Sequence, residues 1–144
     1  MDADDRTELT LTAGEREQLE SFLNDGRVEV VDLLDGLGEE QARRRLVPSL
    51  TTLLGLVKHA PFVERVWFNV ALAGRSRAEL GIPEAAGDSF VLTEDDTVAS
   101  VTTLHLEAWA ASDRVAAGYG LEDVALHNRR SPVSLRRIYL HLLR

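Results

Sequence analysis

Apolar residues recur along this chain at three- and four-residue intervals in several long stretches, the spacing that gathers them on one face of an α-helix. The first stretch, Ala13 to Leu34, sets Leu19, Phe22, Leu23, Val30, Leu33 and Leu34 between charged residues. Thr12 is its expected N-cap, with Glu15 three residues later completing a capping box. Gly26 inside the pattern weakens it by about 1 kcal/mol relative to alanine. After a turn at Gly36-Leu37-Gly38, a short helical piece is expected from Glu39 to Arg45. Ser49 then opens a second long stretch, Leu50 to Leu72. Its Leu53, Leu54, Leu56, Val57, Val63, Val66, Trp67, Phe68 and Val70 cover most of the circumference, so neighbours must bury it on more than one side.

Gly74 to Thr93, with Gly81, Pro83, Gly87 and Asp88, is a longer connection than usual, which suits either a site-bordering loop or lid or plain surface. Thr93 with Glu94, Asp95 and Asp96 places acidic groups at a positive helix start. The third stretch, Glu94 to Ala117, carries Val98, Val101, Leu104, His105, Ala108, Trp109, Ser112 and Val115, and Gly118 and Gly120 end it. Pro132, suited to the first turn of a helix, starts the last stretch, Pro132 to Arg144, with Leu135, Ile138, Tyr139, Leu142 and Leu143 in register. No Gly, Asn or Pro closes that pattern, so the sequence reads as one domain cut short at its C-terminal end. With no alternating strand pattern and no internal repeat, the expected fold is an all-α four-helix bundle with a shortened last helix. At about 1.5 Å per residue the last helix reaches about 20 Å and the second about 35 Å, leaving part of the core uncovered.

A chain of 144 residues can bury a core without cross-links. The net charge of -8 opposes nucleic-acid phosphates and anionic lipid, and no basic stripe offsets it. Cysteine is absent, which removes disulfides, thiolate catalysis and Cys-based metal sites. The acidic start and the lack of any apolar run near the roughly 20 residues of a membrane span make a soluble cytoplasmic protein the default expectation, with no nucleic-acid and no membrane partner.

The chemistry-bearing residues are His59, His105, His127 and His141. Neutral imidazoles facing a bundle interior are good ligands for zinc, nickel or iron. His59 has two readings, an interfacial histidine bonded to a backbone or carboxylate group, and a ligand. His105 shares a face with Val98, Val101 and Ala108 and reads first as a satisfied core histidine. His127 reads as solvent-facing. His141 could approach the core, without a visible partner at the next turn. Glu64-Arg65 and Glu107 could orient a histidine, though a salt-bridge network is the more ordinary role. Arg43-Arg44-Arg45 suits a solvated face better than a phosphate cradle, and Trp67 and Trp109 read as core packing. No metalloprotease helix motif, phosphate loop, nucleophile elbow or calcium loop occurs.

Glu39-Glu40-Gln41-Ala42-Arg43-Arg44-Arg45-Leu46-Val47-Pro48-Ser49, followed by Leu53-Leu54-Gly55-Leu56-Val57-Lys58-His59, Val63-Glu64-Arg65 and Trp67-Phe68, resembles the DinB-like superfamily. The similarity points to its DUF664 branch, related to the metal-binding domain of mycothiol-dependent maleylpyruvate isomerase, and Ser134-Leu135-Arg136 with His141 resembles the start of that family's last helix. The resemblance implies an up-up-down-down four-helix bundle with a divalent metal near one end and His59 as its first ligand. It also implies a carboxylate and a histidine one turn apart in the last helix, at positions that would follow Arg144. Pro61 and Arg137 depart from the family pattern, and Pro61 should bend or loosen the second helix.

Two functions follow as expectations. In the first, the protein in its complete form binds zinc or nickel and is a thiol-cofactor-dependent transferase or isomerase, with a low-molecular-weight thiol and a small substrate as partners. In the second, it is a non-catalytic bundle acting through self-association or protein binding, a homo-oligomer with Trp67, Phe68 or Trp109 near the contact. The 144 residues themselves are expected to lack a complete high-affinity metal site. A weaker substitute would use His59 and His141 with Glu64 or Glu107 and water.

Overall fold

The computed structural model describes residues 11–45 and 51–143. Four helices form the bundle: α1 (Glu15–Asp32), α3 (Leu53–Glu64, running on as a π-helical segment, Arg65–Leu72), α5 (Val98–Ala116) and α6 (Leu135–Leu142). Short pieces join them: α2 (Glu39–Ala42), α4 (Arg77–Leu80), a 3₁₀ turn (Ala86–Phe90) and an antiparallel pair, β1 (Val124–Ala125) with β2 (Val133–Ser134). Two-residue strands carry no period that a sequence pattern can show. Among the described residues no helix is long and apolar enough to cross a membrane.

The helix starts differ from those expected, and local hydrogen bonds explain why. Gly14 is the cap of α1 and no side chain caps it, so the Thr12–Glu15 box does not form. Ser49 lies outside the described residues, and Thr52 caps α3 by accepting the Gly55 N–H at 2.9 Å. The carboxylate of Asp96 accepts the Thr93 N–H at 2.7 Å, closing a turn that holds Glu94 and Asp95 out of helix. α5 therefore starts after Thr97, which shares a reciprocal capping box with Ser100. Pro132 precedes β2, and Ser134 caps α6 by accepting the Arg137 N–H.

Pro61 does not interrupt α3, which stays α-helical through Glu64; the departure comes afterwards, where the helix widens to π geometry. Proline lacks the donor that would reach Val57 O, and its ring crowds that carbonyl. The ring of His105 on α5 takes the donor's place, with Nε2–H donating to Val57 O at 2.6 Å. This assigns His105 the satisfied-core role and fixes its proton on Nε2, since a carbonyl can only accept.

Two apolar clusters hold the bundle. One gathers Leu19 and Leu23 of α1, Phe68 and Leu72 of the π segment, Ala116 of α5 and Leu135, Ile138 and Tyr139 of α6. The other gathers Leu34, Ala42, Leu54, Val57 and Val101. Along α1, α3 and α5 the residues between these clusters include Arg27, Glu64, His105 and Ser112, all buried. The core is thus two apolar halves separated by a polar layer. α6, eight residues and about 12 Å long, contributes only to the first half.

Candidate functional site

A cleft of about 670 Å³ opens beside the polar layer, between α1, α3, α5 and the end of α6. His59, Glu64, His105, Trp109 and Arg27 line it, with Phe22 and Leu143 among its apolar walls. Phe22 and Leu33, expected on the buried stripe of α1, are each 56% exposed; Phe22 lines the cleft instead.

The floor of the cleft is an ion-pair network. Arg27 reaches Glu64 with two hydrogen bonds, at 3.0 and 2.6 Å, and Asp113 at 3.0 Å and Asn24 at 2.8 Å with a third nitrogen. Its guanidinium also stands 6.0 Å from the Trp109 ring centre, within cation–π range. Burial disfavours the Arg27 charge, but Glu64 and then Asp113 outweigh it and raise its pKa. Glu64 thus takes the salt-bridge role. Arg27 went unread in the sequence, although it stands four residues after Leu23 and eight after Leu19, a charge in line with an apolar row.

His59 sits half-buried on α3, stacked on Phe90 with ring centres 3.9 Å apart. Its Nδ1 lies 2.5 Å from Ser89 Oγ, and that hydroxyl is also within bonding distance of the Ala86 carbonyl. Burial lowers the His59 pKa, which favours the neutral ring. A neutral imidazole in such a cleft can accept a hydrogen bond or give an electron pair to a metal. The long connection thus borders the site, and Ser89 is the residue of it that sequence reasoning missed.

The other histidines lie elsewhere. His105 lines the cleft with Nε2 committed to Val57 O. His127 is exposed, as expected. His141 packs its ring on Trp67, with centres 4.7 Å apart, and is not among the residues lining the cleft, although Leu142 and Leu143 are. Glu107 is exposed on α5 and also absent from the lining. Arg43 donates to the backbone carbonyls of Thr93 and Asp96, so it anchors a loop rather than a solvated face. Among the described residues no group of three or more His, Asp or Glu is placed to hold a metal. Among the described residues His59 meets the needs of a single donor at the wall of the cleft.

Residues 18–144 match the family described as mycothiol-S-transferase. The chain belongs to the mycothiol-S-transferase family. No curated protein and no solved structure matches it. The matched span takes in every residue of the cleft, and membership in the mycothiol-S-transferase family agrees with the DinB-like resemblance and supports a thiol-transferase type of function. The 144 residues of this mycothiol-S-transferase family chain contain no cysteine, so none of them supplies a thiol.

Proposed function

We propose that the protein is a thiol-transferase-type enzyme of the DUF664 branch that takes a low-molecular-weight thiol and a small substrate in the cleft, with His59 as a donor to zinc or nickel. The observation that carries this reading is the His59 ring, held by Ser89 and Phe90 at the wall of a cleft large enough for a small molecule. His141 is the second donor in this proposal and would have to turn away from Trp67 to serve. A calorimetric zinc titration of the chain beside His59→Ala and His141→Ala tests it. Weak one-to-one binding lost in both variants supports the pair. Loss in His59→Ala alone removes His141, and binding unchanged in both removes the metal from this cleft.

A second reading, self-association, rests on exposed apolar side chains: Leu106 at 55%, Leu126 at 72% and Leu140 at 46%. Phe68, named from the sequence as a contact residue, is 1% exposed inside the first apolar cluster and cannot reach a partner. Trp67 packs against that cluster, and Trp109 lines the cleft. The expected result in this reading is a mass above that of one chain by light scattering, falling on dilution. A monomer at every concentration would sink it.

A further inference from the structure

Three features of α3 converge on one short stretch of the long connection. Gly55 lies against the Phe90 carbonyl so closely that a Cβ there would come within 2.6 Å of that oxygen. One residue before His59, Lys58 donates from Nζ to Val91 O at 2.8 Å and to Asp96 Oδ2 at 2.8 Å. One helical turn after Gly55, His59 stacks on Phe90 and meets Ser89. Helix and turn are thereby clamped at a contact that only glycine permits, and Ser89 itself is 3% exposed.

The partners of Ser89 decide where its proton goes. The Ala86 carbonyl can only accept, so the hydroxyl hydrogen is committed to it. Ser89 Oγ then has only lone pairs to offer Nδ1 of His59, which must carry the ring proton. In a neutral imidazole the other nitrogen, Nε2, is left bare.

We propose that Ser89 is a positioning residue: it fixes His59 as the Nδ1–H tautomer and so keeps the Nε2 lone pair free as the acceptor of the cleft. Ser89 touches no reacting group; it acts through the ring of His59. The assignment deepens the proposed function and rests on it only for the identity of what Nε2 meets. Outer partners of this kind are worth about 10- to 100-fold in metal affinity where they orient a liganding histidine.

The test is the nitrogen spectrum of the imidazoles in the isotope-labelled full chain without metal, compared with Ser89→Ala and Ser89→Thr. The expected result is an Nδ1–H ring at His59 in the parent and in Ser89→Thr, which keeps the hydroxyl. Ser89→Ala should shift the ring toward Nε2–H while the His105 signals stay in place. An Nε2–H ring in the parent overturns the assignment, and that reading needs no variant to fold. An unchanged Nδ1–H ring in folded Ser89→Ala overturns it too. A parallel zinc titration separates the two levels. Binding weakened about 10- to 100-fold in Ser89→Ala and restored in Ser89→Thr extends the role to the metal. A parent that binds no zinc but shows the expected tautomers removes the metal reading and leaves Ser89 its role.

Discussion

Arg27→Ala is expected to destabilise the protein by about 4 kcal/mol, measured as a lower urea midpoint with an unchanged slope. The two side chains are 4% and 9% exposed, so removing the arginine leaves the Glu64 carboxylate in the core without its bidentate partner. That isolated charge, rather than the energy of the bond, sets the size of the effect. Glu64→Ala should cost less, about 2 kcal/mol, because Arg27 keeps Asn24, the Trp109 face and Asp113, whose side chain is 63% exposed. Replacing both at once, Arg27→Met with Glu64→Leu, should bring stability back to within about 1 kcal/mol of the parent. A double variant as unstable as Arg27→Ala would show that the network stabilises the fold outright.

The pair also shows where the sequence was legible. Leu19, Leu23, Val57, Val101, Leu135 and Ile138 announced the helices because burial on one face leaves a period, and that was enough for the bundle. α6 was read with its apolar register intact, but its start was not: Pro132 is a good first-turn residue, yet pairing of β2 with β1 claims the preceding backbone. The polar layer was hidden for another reason. Arg27 is buried only because Glu64 stands opposite, and such pairs across helices have no fixed spacing in the chain. His59 could be named from its resemblance, whereas Ser89 is 30 residues away in an irregular segment and is brought to it by the close approach at Gly55. Local rules propose caps and turns, although the Thr12–Glu15 box they propose does not form; they do not reach a contact set by how a loop lies on a helix.

The last expected result concerns Pro61 and His105, where a residue that breaks a backbone hydrogen bond faces one that replaces it. His105 is 1% exposed, and its ring supplies the donor for Val57 O that Pro61 cannot. His105→Ala should therefore cost about 3 kcal/mol, from lost packing together with an orphaned buried carbonyl. If the carbonyl is the issue, a second change should repair part of the loss. Pro61→Ala restores a backbone N–H four residues after Val57, so His105→Ala should cost about 1 kcal/mol less in that background. Equal costs in the two backgrounds, read from urea unfolding of all four proteins, would mean that packing alone explains His105. The same ring makes stability depend on pH. Burial lowers its pKa from 6.5, more than the Val57 bond and Glu64 raise it, so the fold prefers the neutral ring. The contribution is complete above the unfolded value of 6.5 and is lost as pH falls below it, where the unfolded chain binds a proton that the core resists. The parent should lose stability between about pH 7 and pH 5, and His105→Ala should lose less over the same interval. His59, shifted downward by its own burial, leaves part of the slope in place. A pH dependence identical in the parent and in His105→Ala would place the acid sensitivity elsewhere.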